Sequence, residues 1–132
     1  MLLVKIDSEV IVAVAVTIIA AAAFLGMGVY ALWAPDALVR PFGIRLGGAT
    51  GRYEVRAVYG GFGIAMAAIL AVAACHPGSL RTGIMVTVAA ALGGMSIGRV
   101  VSAALDGRTA LYPNWFYCLL EAAAAAALLA AA

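Results

Sequence analysis

Apolar residues run from Val10 to Pro35 without one charge, 26 positions in a row. An α-helix needs about 20 such residues to cross the hydrocarbon core of a bilayer. The run predicts a first span over roughly 8–33, with Ser8 as its N-cap. Three more apolar stretches follow, over roughly 53–74, 80–105 and 113–132. The breaks between them carry turn chemistry. HPGS at 76–79 holds a proline and a glycine that stop one helix before the next begins. DGRTALYP closes the third span, with Asp106-Gly107 as the turn, and Pro113 takes a favoured first helical position in the fourth. The connection 34–52 is longer: APDALVRPFGIRLGGATGR has two prolines, four glycines and three arginines. It reads as a surface loop with a short interfacial helix near Asp36–Val39.

This pattern predicts an all-α integral membrane protein, an up-down four-helix transmembrane bundle forming one domain over 1–132. Backbone inside lipid must satisfy its own hydrogen bonds, and helices do so. Composition agrees. Hydrophobic residues make up 67% of the 132 and charged residues 11%, and mean hydropathy is +1.13. A soluble domain sits near 45–50% and about 25%. The N-terminal MLLVKIDSE mixes two acids with one lysine ahead of a run too long for an h-region, so the first span reads as retained rather than cleaved. Small residues invite close helix packing: Gly26 and Gly28, Gly60, Gly61 and Gly63, the Gly94-x-x-x-Gly98 step, and the alanine tract Ala122–Ala127.

Charge adds orientation. Arg40, Arg45, Arg52 and Arg108 fall on one side of the four spans; Lys5 and Arg81 fall on the other. The excess of arginine places the long connection in the cytoplasm and both termini outside a plasma (inner) membrane. Net charge is only +2 and no basic run tracks a phosphate backbone, so nucleic acid is not an expected partner. Cys75 and Cys118 form no CxxC or metal-ligand spacing and read as buried thiols; no metal or cofactor is expected. Trp33, Trp115 and Tyr112 sit at span ends, where interfacial aromatics belong. His76 reads as a surface residue of its turn.

Five charges lie within or at the edges of the spans: Glu54, Arg56, Arg99, Asp106 and Glu121. Helical rise puts Glu121 ~13 Å and Arg99 ~9 Å from the same face, and the other three lie close to that face. A charge at mid-bilayer costs about 2.5–3.5 kcal/mol on the lenient insertion scale and is tolerated when it turns inward to a partner. Met95, Arg99, Ser102 and Asp106 share one stripe of the third span. Arg52, Arg56, Tyr59 or Gly60, and Gly63 share one in the second. Asn114, Tyr117, Cys118 and Glu121 share one in the fourth. Turned inward, these stripes enclose a polar pocket open toward the arginine-rich side. The expected pairs are Glu121 with Arg99, and Glu54 with Arg56 or Arg99. A lone Glu121 would hold its proton, whereas Arg99 would keep it ionised; sequence leaves both open. Asp106 and Asp36, next to turns, are equally suited to capping. Buried ion pairs also serve simply to fix helix register.

At Glu54, Arg56, Tyr59, Gly60, Gly61 and again at Gly98, Arg99, Ser102, Asp106, Gly107, the motifs E-x-R-x-x-Y-G-G and G-R-x-x-S-x-x-x-D-G, with the late acid Glu121, resemble a bacterial family of small four-span membrane proteins. That family is catalogued as a domain of unknown function and is loosely similar to DoxX-like membrane proteins. The resemblance implies a four-helix bundle and no particular activity.

The function expected from the residues is binding of a lipophilic small molecule with a polar group. Glu121, Arg99, Glu54 and Asp106 are the candidate catalytic groups, for acid/base chemistry such as isomerisation, cyclisation or epoxide opening. Arg56, Tyr59, Ser102, Asn114 and Tyr117 are the candidate binding groups. No P-loop, dinucleotide fingerprint or nucleophile motif is present. Two alternatives stand beside it: a small proton-coupled transporter using Glu121, and a structural subunit of a membrane complex. A homo-oligomer is compatible with all three, and the bilayer is the expected surrounding.

Overall fold

The computed structural model describes residues 2–132, with side chains from Asp7 onward. Lys5 therefore contributes its backbone only, and its side chain lies outside the described residues. Helix α1 (Leu2–Trp33) is followed by the short α2 (Pro35–Val39) and a 3₁₀ turn (Arg40–Phe42). Helix α3 (Ala49–Val55) runs through one π-helical stretch (Arg56–Gly61) into α4 (Phe62–Cys75). Helix α5 (Ser79–Asp106) and α6 (Phe116–Ala131) complete the chain, α6 being led in by a π turn (Leu111–Trp115). Among the described residues there is no strand. Four segments are long and apolar enough to cross a membrane: Asp7–Trp33, Ala49–Cys75, Ser79–Asp106 and Leu111–Ala131.

These bounds follow the apolar runs with two departures. The first helix begins at Leu2, so Ser8 lies inside it and is not its N-cap. The second begins at Ala49 rather than near 53, because only Gly48, at φ 143°, breaks the chain there; Thr50, Gly51 and Arg52 already wind. Pro35 opens α2 at the position where a missing N–H costs nothing. Asp36 lies in its first turn, exposed, and makes no capping hydrogen bond.

Helix α1 packs chiefly on α4 and its π-helical lead-in, and α5 chiefly on α6; smaller contacts join α4 to α5 and α1 to α6. The core is a column of Leu70, Met85, Val88, Ala89, Leu92, Ala125 and Leu128, flanked by Val16, Phe24 and Met66. Glycine sets the first of these interfaces. A Cβ on Gly28 would stand 2.9 Å from both Gly60 O and Ile64 N, and one on Gly63 would stand 3.0 Å from Gly28 Cα. Backbone meets backbone there, and only glycine fits. The Gly94–Gly98 step is different: neither glycine has an atom within 4 Å of an added Cβ. The expectation that this step packs helices is not met within the chain, nor does Gly26 pack on anything.

Helix ends are satisfied by arginines read earlier as surface markers or site residues. Arg81 is buried and donates from Nε to Ala73 O (2.9 Å) and from Nη2 to Ala74 O (3.0 Å), closing the end of α4. His76, exposed as expected, donates from Nδ1 to Val72 O (2.9 Å). Arg56 donates from Nε to Leu32 O (2.9 Å) at the end of α1. Cations suit these ends, where carbonyls lack partners and the helix dipole is negative. Thr82 Oγ1 donates to Ala132 O (3.0 Å), bringing the start of α5 to the end of α6.

Candidate functional site

Beyond their apolar contacts, helices α5 and α6 are hydrogen-bonded through two side chains each. Ser96 and Arg99, three residues apart on α5, face Cys118 and Glu121, three apart on α6, because that spacing puts each pair on one side of its helix. Ser96 Oγ donates to Cys118 O (3.0 Å), and Cys118 Sγ donates back to Ser96 O at 3.6 Å. One turn on, Arg99 Nε donates to Glu121 Oε2 and Arg99 Nη2 to Glu121 Oε1, both at 2.8 Å. This is a bidentate guanidinium–carboxylate pair, the strong and directional form. The Glu121 side chain keeps 7% of its surface and Arg99 keeps 23%. The expected pairing of Glu121 with Arg99 is therefore present.

Two neighbouring rings pack against the guanidinium from one side. Arg99 Cζ lies 5.7 Å from the centroid of Phe42 and 5.7 Å from that of Tyr117, within cation–π range. The rings are themselves in contact at 5.5 Å, and Tyr117 continues into Phe116 at 5.3 Å and Tyr112 at 6.3 Å. Phe42 comes from the 3₁₀ turn of the long connection. That connection thus reaches back over the α5–α6 pair.

A cleft of about 590 Å³ opens beside this arginine, lined by Met95, Gly98, Arg99, Ser102, Ala103, Asp106, Gly107, Thr109, Asn114 and Trp115. The predicted stripe of Met95, Arg99, Ser102 and Asp106 is one wall of it. Arg99 has its Nε and Nη2 committed to Glu121, and Nη1 has no acceptor among the described residues. No described buried side-chain nitrogen or oxygen lacks a partner, so that amino group lies at accessible surface. Asp106 is exposed, makes no side-chain hydrogen bond among the described residues, and does not cap a helix. Its place in the last turn of α5 sets a negative charge against the negative end of the helix dipole, which costs about 0.3–1 kcal/mol. Asn114 Nδ2 donates to Thr109 Oγ1 (3.3 Å), leaving Asn114 Oδ1 as an acceptor.

Of the nine predicted site residues, Arg99, Ser102, Asp106 and Asn114 line the cleft; Glu121 and Tyr117 hold Arg99 from behind. Glu54, Arg56 and Tyr59 are not in its lining. Glu54 is exposed and forms no ion pair among the described residues, and Arg56 is occupied by Leu32 O. The five charges are thus not one cluster. Residues two apart on a helix point to opposite sides, which is why Glu54 and Arg56 do not meet. Cys118 is buried as expected, but Cys75 is exposed. Phe42, Thr109 and Trp115 were not expected at the site; only Trp115 carried a signal, its place at a span start. A second groove, about 380 Å³ between α4 and α5, is lined by Met66, Ile69, Leu80 and Ile84 among others and holds no charged group.

Fold and cleft together define a small all-helical protein with four helices of membrane-spanning length and a charged cleft at one end of the α5–α6 pair. The chain belongs to the family described as Domain of unknown function (DUF4345), which it matches over residues 12–132. No curated protein and no solved structure matches it.

Proposed function

We propose that this is a four-span, up-down protein of the plasma membrane whose cleft binds a lipophilic molecule by its polar head. The long connection lies on the cytoplasmic side and the termini outside. Arg99 makes the principal contact through Nη1. The observation that carries this reading is the fixing of Arg99. A buried carboxylate holds two of its nitrogens and two neighbouring rings pack against it, while Nη1 is left for the cleft that Arg99 lines. Such a group offers a hydrogen-bond donor already ordered, so a ligand loses little entropy in meeting it. A cleft of this size suits a molecule of drug-like dimensions or a lipid head with the start of its chains.

Glu121 in this reading is a positioning residue. Both of its oxygens are taken by Arg99, so acid/base chemistry in the cleft falls to Asp106, the acid in its lining. The same engagement disfavours a proton-carrying role for Glu121.

Gly98 supplies the test. It lines the cleft, and an added Cβ meets nothing within 4 Å. Gly98→Leu therefore adds bulk to the cleft from a position where the Cβ meets no neighbour. Mass spectrometry of small molecules that co-purify in mild detergent is expected to find a specific species with wild type and to lose it with Gly98→Leu, at unchanged melting temperature. The same molecules in both proteins would sink the reading.

A further inference from the structure

The cleft separates its donors from its acceptors along one axis. Its inner end is apolar at Met95, and Gly98 beside Arg99 leaves the wall open. Next comes the Arg99 guanidinium edge. Asp106 follows seven residues on in α5, ~10 Å of helix rise between the two backbone positions, with its carboxylate nearer the cleft's outer end. Asn114, with Oδ1 unengaged, stands in the same lining together with Thr109, whose hydroxyl accepts from Asn114 and donates to Ala110 O at 3.3 Å. The order from inside to outside is apolar wall, cationic donor, anionic acceptor.

The charge sum points the same way. Arg99 and Glu121 neutralise each other, and Asp106 leaves the cleft with one uncompensated negative charge. Arg108 is nearby in sequence but is exposed and outside the lining. A head group that is only anionic would gain Arg99 and meet Asp106. One that is only cationic would gain Asp106 and meet Arg99. An amphiphile whose anionic group sits next to its apolar chains, and whose ammonium sits beyond, matches both ends in order.

We infer that the cleft selects a zwitterionic amphiphile with a tail-proximal phosphate and a terminal primary ammonium, the head group of an aminophospholipid. The phosphate takes the free edge of Arg99; the ammonium donates to Asp106 and Asn114 Oδ1. A primary ammonium has three N–H donors for those acceptors, whereas a quaternary one has none. This inference rests on the cleft reading above and adds the ligand class to it.

The test is native mass spectrometry of delipidated protein offered equal amounts of phosphatidylethanolamine, phosphatidylglycerol and phosphatidylcholine with identical chains. Wild type is expected to bind the ethanolamine lipid most tightly. Asp106→Asn should weaken that lipid about tenfold, the size of one charge-assisted hydrogen bond, and leave the glycerol lipid unchanged or tighter. Gly98→Leu should lose all three. Equal binding of the ethanolamine and glycerol lipids by wild type, or an ethanolamine preference that survives Asp106→Asn, overturns the inference. If a co-purified molecule is lost with Gly98→Leu yet wild type shows no ethanolamine preference, the cleft stands and the ligand class falls. If Gly98→Leu binds lipid as wild type does, both fall.

Discussion

Arg99 and Glu121 form a unit whose halves are worth little apart. Glu121 is buried with both oxygens committed, so removing its partner strands a charge away from water. Arg99→Ala is expected to destabilise the protein by about 3 kcal/mol, the low end for breaking a buried pair because Arg99 is partly exposed. Arg99→Ala combined with Glu121→Gln should cost less than Arg99→Ala alone, since no charge is then left unpaired. Thermal unfolding in one detergent compares them, and equal melting temperatures would contradict the pairing as an energetic unit. Phe42 makes a different contribution. Its ring covers the guanidinium at a partly exposed site, where such contacts are worth roughly 0.5–1 kcal/mol. Phe42→Ala should leave the melting temperature nearly unchanged and release the co-purified molecule severalfold more readily. Sequence disclosed the Arg99–Glu121 pair because two opposite charges at matching depth in apolar helices have few other places to go. It gave no sign of Phe42, which reaches the site through the path of a connection rather than through periodicity.

At the scale of helices, glycines that look alike in sequence do unlike things. Gly28, Gly60 and Gly63 let α1 and α4 touch backbone to backbone, whereas Gly94 faces open space. Gly28→Ala is expected to lower stability by about 1–3 kcal/mol, the usual cost of forcing extra atoms into a filled contact. Gly94→Ala should be neutral or stabilising by up to about 1 kcal/mol, because alanine is the better helix former. Thermal unfolding distinguishes them, and a matching loss in both would place a contact on Gly94 that this chain alone does not supply. The four apolar spans were legible because their lengths and turn residues are strong signals. Which glycine meets which helix was not, since that depends on how the helices are rotated. The roles of two arginines at helix ends were hidden for a related reason: neither the count of loop charges that includes Arg81 nor the helical stripe that includes Arg56 speaks of unpaired carbonyls nearby, and both side chains are drawn to those.

For the whole molecule, the proposed orientation puts Cys75, at the end of α4, on the same side as the termini and opposite the long connection. Cys75 is exposed and Cys118 is buried, so a thiol reagent reports on one position. A membrane-impermeant maleimide added to intact cells is expected to label Cys75; labelling only after the cells are opened would reverse the orientation. The apolar pattern disclosed the four long apolar segments and, to within a residue or two, where each stops. The side of the membrane they are proposed to open to rests on a few basic residues, one of which, Arg81, also closes the end of α4.

The Arg99–Glu121 pair also has a consequence for how the protein is made. The chain is synthesised from α1 to α6, so α5 leaves the ribosome before its acid exists. In the proposed membrane setting, Arg99 would for that interval sit within an apolar helix with no counter-charge, a state that costs about 2.5–3.5 kcal/mol on the insertion scale. Helix α4 and residues 10–33 of α1, joined through glycines, carry no charge, so in that setting they wait on no later partner. On the proposed reading, the last two helices are better delivered together, as a hairpin already closed by its ion pair, and assembly in the bilayer would thereby acquire an order: first pair, then second.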